Sequence, residues 1–346
     1  TSIHSLMIVR EHCRRLGKVL KMVKKIGTHN GPFHCDDAAA CFMLRSLPDY
    51  TNAQIVRTRD QSELDLCDAV VDVGGVYDHG KNLYDHHQRS FNESMHSLNP
   101  IYPWTTKLSS AGLVFFHYGK EIIRSILNDN VDDECIDLVY EKVYQNFIES
   151  IDAIDNGISP CDETPRYVIK TDLSSRVSYL LPKWNEEIKN FDEKFPLAMK
   201  LVGEELTDRI SYYAKTWYPA RLLVAKAMED RFSIHESGEI IELPQGGLPW
   251  KDHLFTLEEK ENIKGCIKYV IYKDQSQHRI LAVPVFCDSF KSRVPLHQSW
   301  QGLRDSELVK ASGIESACFV HSSGFTGGCH TREGVIEMAK RTLASI

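Results

Sequence analysis

The sequence predicts a two-domain α/β protein, and three features predict it. The chain has 346 residues, more than the roughly 250 to 300 over which a single hydrophobic core grows, so two domains are the default. Its first part alternates strand, helix and strand: 23–28 (VKKIGT) and 55–58 (IVRT) read as short strands, with 37–47 (DAAACFMLRSL) as a helix between them. Residues 69–73 (AVVDV) form a further β-branched run closed by Gly74-Gly75. The βαβ order implies a parallel sheet that presents ligand-binding groups at the carboxyl ends of its strands. After Gly238 the texture changes to strands at 239–243, 265–272, 279–286 and 316–321, followed by a last helix at about 331–345.

Between these regions the pattern is helical. Apolar residues recur at three and four through 111–126 and 134–154, within a helical segment at 109–157, and 198–232 forms a second long stretch with a break expected near Pro219. No internal repeat or low-complexity segment is present. The expected divisions are a basic tail or transit-like segment at 1–25, a domain at 26–195, a linking helix at 196–232 and a smaller α/β domain at 233–346.

Composition narrows the class. With 42% hydrophobic and 26% charged residues the chain reads as a soluble globular protein, and no run of about 18 apolar residues suggests a membrane span. The ten cysteines include no C-x-x-C pair, which points to a reducing compartment rather than a disulfide framework. Residues 1–25 carry seven Lys or Arg against the single Glu11, leaving about −13 on an otherwise acidic body. Such a segment is the composition of a mitochondrial transit peptide, or of a plain basic tail. The acidic body argues against clamping duplex DNA, whereas a phosphate-bearing substrate stays compatible because bound cations invert local charge.

Metal-ligand side chains concentrate near the ends of the first strands. His29-x4-His34-x-Asp36 occupies the turn between the first strand and its helix, Asp72 closes a buried strand, and Asp85-His86-His87 follows Tyr84. A carboxylate directly after Ala-Val-Val is costly to bury unless something pairs with it. Imidazole and carboxylate together suit Mn²⁺, Zn²⁺ or Fe better than Mg²⁺ or Ca²⁺. Five or more such side chains exceed the needs of one tetrahedral ion, so two ions are expected, with Asp72 as the bridge. A further carboxylate is expected from the helix at 147–156, either Asp152 or Asp155, which lie three apart on one face.

A second candidate site lies near the C-terminus. Ser322 to Arg332 (SSGFTGGCHTR) reads as a glycine-rich loop before the last helix. It is neither a Walker A motif nor a dinucleotide fingerprint. Gly327 and Gly328 would let backbone N–H groups approach an anion, with His330, Thr331, Arg332 and the more distant Arg293 adding hydrogen bonds and charge. Tyr212, Tyr213, Trp217 and Tyr218 read as helix core, and no G-x-S-x-G elbow supports serine catalysis.

The stretches Ile26–Asp37, Val70–Gly75, Tyr84–Phe91, Ile151–Gly157, Pro249–Leu254, Trp300–Asp305 and Gly324–Gly334 together resemble the melanocyte-proliferating-gene (Myg) protein family. The resemblance covers nearly everything after residue 25. That family is similar to the DHH phosphoesterases, which implies a parallel-sheet catalytic domain holding two Mn²⁺, with Mg²⁺ as the alternative, and a smaller α/β substrate-binding domain with a glycine-rich motif. It further implies a 3′–5′ exonuclease that acts on single-stranded RNA or short oligonucleotides, releases nucleoside monophosphates and resides in mitochondria and nucleus. On this reading His29, His34, Asp36, Asp72, His86 and Asp155 hold metal, Asp85 orients an imidazole and His87 protonates the leaving oxygen. Two other readings are a phosphohydrolase for a small substrate, such as pyrophosphate or a cyclic dinucleotide, and a non-catalytic metal-binding scaffold.

Overall fold

The computed structural model describes residues 23–128 and 131–345. The transit-like segment expected at 1–25 therefore falls, up to residue 22, outside the described residues. The chain divides into two compact units between Ala214 and Lys215.

The first unit is built on a five-stranded sheet: β1 (Lys25–Thr28), β2 (Gln54–Arg57), β3 (Ala69–Val71), β4 (Tyr77–Asp78) and β5 (Leu83–Tyr84), in the order β2-β1-β3-β5-β4. All neighbours are parallel except β4, which closes the edge antiparallel to β5. Strand order reverses between β1 and β3, because β2 lies on one side of β1 and β3 on the other. At such a switch point the connections leave in opposite directions and open a crevice at the carboxyl ends of the strands.

Helix α1 (Cys35–Ser46) connects β1 to β2 and packs against α2 (Ser110–Leu127) and α6 (Phe191–Tyr212). Its Ala38-Ala39-Ala40-Cys41 run is fully buried. A helix crowded by two others needs small side chains, and this explains the alanine-rich sequence. Gly203 on α6 serves the same purpose, since a Cβ there would lie 2.2 Å from the Phe42 ring. The rest of the helical layer comprises α3 (Asp133–Val143), α4 (Glu149–Asp155) and α5 (Leu173–Ser178). A π-helical turn at Tyr144–Ile148 joins α3 to α4.

The second unit has its own mixed sheet, in the order β6-β7-β8-β10-β9, and its own cores. Its elements are α7 (Tyr218–Glu229), β6 (Ile240–Glu242), α8 (Trp250–Lys260), β7 (Tyr269–Lys273), β8 (His278–Ala282), α9 (Asp305–Ser312), β9 (Ala317–Val320), β10 (Thr326–Cys329) and α10 (Arg332–Leu343). The expected linking helix at 196–232 is replaced by α6, a π-helical turn at Tyr213–Trp217 and α7, with Pro219 in the first turn of α7. The π-helical turn falls just before this proline, where the missing N–H interrupts the regular helical ladder. Strand β10 corrects the expected glycine-rich loop. Thr-Gly-Gly-Cys has no β-branched run to announce a strand, but it pairs antiparallel with both β8 and β9.

A candidate metal centre at the strand ends

Three strands deliver the site. His29 follows β1, Asp72 follows β3, and Asp85-His86-His87 follows β5, while Asp36 and Asp37 come from the first turn of α1. Asp155 arrives from the last turn of α4. Asp72 sits at φ 58°, a left-handed conformation that a residue with a Cβ rarely adopts. It is held there between imidazoles: Oδ2 lies 3.2 Å from His29 Nε2, and Oδ1 lies 3.4 Å from both His86 Nε2 and His87 Nδ1. His86 Nε2 also lies 3.1 Å from Asp155 Oδ2 and 3.8 Å from Asp36 Oδ2. His29 Nε2 stands 3.2 Å from Asp37 Oδ2.

These approaches are close, but they are not hydrogen bonds. Both carboxylate oxygens of Asp36 and of Asp72, Asp37 Oδ2, His29 Nε2 and both ring nitrogens of His86 are buried without a hydrogen-bond partner. Buried polar atoms are almost always satisfied, so a cluster of orphans requires an explanation. Ligands about 2.0 to 2.2 Å from a shared ion lie roughly 3.0 to 3.5 Å from one another, which is the spacing seen around Asp72. The donor set of carboxylate oxygens and imidazole nitrogens fits a divalent transition ion. Among the described residues three ligand groups share close atoms: His29, His34 and Asp72; Asp72, His86 and His87; and His34, Asp36 and Asp155.

Electrostatics agree with that fit. Burial, reinforced by the neighbouring Asp72 and Asp155, pushes the Asp36 carboxyl well above the usual range. Burial works against charge on His29 and His86, yet the carboxylates around them outweigh it and raise His29 to about 10 and His86 to about 9. A site that holds protons this tightly is rich in negative charge, and a divalent cation would supply the neutralisation that protons otherwise provide.

Asp85 and His87 form a separate pair at the mouth. Asp85 Oδ1 accepts from the His87 backbone N–H at 3.0 Å and lies 2.8 Å from His87 Nδ1, while Asp85 Oδ2 accepts from the Gly75 N–H at 2.6 Å. Gly74 and Gly75 both have positive φ, which lets this turn wrap the carboxylate. The His87 side chain is 60% exposed, and the bond to Asp85 raises its pKa.

A cavity of about 420 Å³ opens over these groups, lined by His29, Asp72, Asp85 and His87 together with Arg59. No ion pair or hydrogen bond engages the Arg59 side chain among the described residues. Arg59 lies outside every motif read from the sequence, and its only signal there is its place just after a strand end. Asp37 also lies outside the expected ligand set: its Oδ1 accepts from the His34 and Ala38 N–H groups at the start of α1, and its other oxygen faces His29.

Known proteins resemble the chain over nearly its whole length. The MYG1_exonuc family model, described as "Uncharacterised protein family (UPF0160)", matches residues 25–343. The chain belongs to this family. The rat MYG1 exonuclease is 52% identical over 322 residues, 92% of this chain and 84% of that protein. The MYG1 protein of Caenorhabditis elegans is 49% identical over 326 residues, spanning 93% and 96% of the two chains. Among solved structures, RecJ from Thermus thermophilus in complex with Mn²⁺ aligns with 97% of this chain and 54% of its own at 11% identity, with a TM-score of 0.24. At that score the similarity supports no structural argument.

The residues that carry the family resemblance divide into different roles. Asp152 and Asp155 are the sharpest case. Asp152 is fully buried and accepts from the Ser109 N–H and hydroxyl, the Gly112 N–H and the Tyr144 hydroxyl. Burial pushes it up to about 7 in spite of these donors. It ties α4 to α2, and only Asp155 reaches the cluster.

The second unit differs from expectation. Gly327 and Gly328 lie within β10, where a Cβ on Gly328 would meet the Phe319 ring at 2.8 Å and one on Gly327 would meet Leu296, Met338 and the Phe319 carbonyl at 3.0 Å. Their lack of a side chain serves close packing inside the sheet. Arg293 is no surface fork: its guanidinium donates to both oxygens of the fully buried Glu258 at 2.7 Å. Arg332 is bound through Nε and Nη2 to Glu242. Thr331 caps α10 by accepting the Gly334 N–H, and His330 is exposed.

Proposed function

We propose that this chain is a metal-dependent phosphodiesterase, acting as a 3′–5′ exonuclease on single-stranded RNA or short oligonucleotides and releasing nucleoside monophosphates. The observation that carries the reading is the buried, unpartnered set of oxygens and nitrogens around Asp72. Membership in a family whose mammalian members are named exonucleases supports a nucleic-acid substrate.

On this reading Asp36, Asp72, Asp155, His29, His34 and His86 would hold two divalent ions, with Asp37 beside His29 and Asp72 contributing to both centres. Such ions, Mn²⁺ foremost, supply charge neutralisation for the phosphoryl group and an acidified water at neutral pH. The chain's own side chains do the rest. Asp85 engages the His87 ring through Nδ1 and leaves Nε2 out of that bond, on a side chain that is 60% exposed. The bond to Asp85 raises the pKa of His87 and so favours the protonated ring, which can deliver its proton to the departing oxygen. Arg59 presents a guanidinium to the same cavity and would grip a phosphate oxygen.

The test combines metal analysis with hydrolysis. Purified protein should hydrolyse end-labelled oligoribonucleotides with added Mn²⁺, release mononucleotides from the 3′ end and lose activity on chelation. Asp72→Asn should keep its circular dichroism spectrum, lose bound metal and fall in kcat by at least about a thousandfold, the several kcal/mol that metal-ion catalysis supplies. Hydrolysis that persists in chelator, or in Asp72→Asn, rules the proposal out.

A further inference from the structure

The carboxylate–imidazole cluster has a second cavity beside it. This one has a volume of about 350 Å³ and is lined by residues that include His34, Asp155, Ile154, Leu181, Ser175 and Ser178. Of all these lining residues only His34 also lines the cavity that holds Arg59 and His87. His34 therefore stands between two spaces of different chemistry. One offers a cation and an imidazole; the other offers apolar side chains and serine hydroxyls.

Two of those hydroxyls, on Ser175 and Ser178, are already committed as donors. Ser175 Oγ donates to Asp172 Oδ2 at 2.6 Å, and Ser178 Oγ donates to the Ser175 carbonyl at 2.7 Å. A serine oxygen that has given its proton away still has lone pairs, so what it offers to a visitor is acceptance. Ribose, with its 2′- and 3′-hydroxyl donors, is complementary to that offer, and deoxyribose lacks one of the two. Ile154, 47% exposed, adds the kind of apolar wall that a base covers. The volume is at the small end for ligand pockets, which run from about 300 to 1,000 Å³, and so suits one nucleoside rather than an extended strand.

We propose that this cavity receives the terminal ribonucleoside of the substrate, with Ser175 and Ser178 accepting from its ribose hydroxyls. The proposal rests on the phosphodiesterase reading above. It deepens that reading by accounting for the release of one nucleotide at a time: a phosphodiester that crosses His34 has room for a single nucleoside on the Asp155 side.

Calorimetric titration of the full chain in Mn²⁺ buffer, with adenosine 5′-monophosphate and its 2′-deoxy analogue, tests it without requiring turnover. Wild type should bind the ribonucleotide about tenfold more tightly than the deoxynucleotide, the value of one or two hydrogen bonds. Ser178→Ala should shrink that ratio, and Ser178→Phe, which fills the cavity, should weaken ribonucleotide binding at least about tenfold. Ser178 is on the exposed side of a short helix, and an unchanged melting temperature verifies that each variant is folded. No ribonucleotide binding by wild type, equal affinity for the two nucleotides, or full affinity in Ser178→Phe overturns the proposal. Hydrolysis of bis(4-nitrophenyl) phosphate by the wild type, measured separately, reports on the phosphodiesterase reading alone, so the two can fail independently.

Discussion

The two units treat their charged side chains in opposite ways. In the first, buried atoms of Asp36, Asp37, Asp72, His29 and His86 crowd together without a hydrogen-bond partner. In the second, the arginines that looked ready for an anion are already occupied, Arg293 by Glu258 and Arg332 by Glu242. Sequence displays residue types and their spacing, but not whether a partner 90 positions away, as Glu242 is from Arg332, has already claimed a side chain. An unsatisfied buried charge costs several kcal/mol, a cost that a bound cation would offset. The same reasoning ranks the sites: the first unit keeps a ligand set that its own groups do not satisfy, and the arginines of the second are built into its own structure.

This contrast can be broken most directly at Arg293. Removing its guanidinium leaves Glu258 buried and charged, so Arg293→Ala should destabilise the second unit by about 3 to 5 kcal/mol, read from chemical denaturation. A loss below about 1 kcal/mol would show that Glu258 finds other compensation, and Arg293 would again be open to a ligand. At Arg59 the expectation is reversed. Arg59→Ala should leave stability and metal content unchanged but raise KM for a short oligonucleotide about ten- to a hundredfold, the loss of a charge-assisted hydrogen bond to phosphate. An unaltered KM would remove Arg59 from the site. The smallest effect is expected at Arg332, whose pair with Glu242 is part-exposed. Arg332→Ala should cost less than about 1 kcal/mol of stability and leave KM within about twofold of wild type. A tenfold rise in KM instead would restore the anion role first read from the glycine-rich segment.

Much of the first unit was legible because its signals are local. Short apolar strands followed by His29, Asp72 and Asp85, and an alanine-rich helix between the first two strands, announce a βαβ unit with polar residues at its carboxyl edge. The second unit was harder. Helix α8 and strand β10 were not anticipated, since Thr326–Cys329 has only Thr326 as a β-branched residue and is held in the sheet by close packing against Phe319.

What the sequence by itself determined is where imidazoles and carboxylates gather at the strand ends, because alternation and turn chemistry act over a few residues. Only the tertiary structure decided among them. Asp152 and Asp155 are indistinguishable as carboxylates three apart on a helix, yet packing of α4 against α2 surrounds the first with four donors and turns the second to His86. Asp37 and Arg59 entered the site in the same way, Asp37 by facing His29 at the start of α1 and Arg59, just after β2, by lining the same cavity as His29. The physical reason is that satisfaction of a charged group is a property of its neighbours in space, and those neighbours are chosen by the fold.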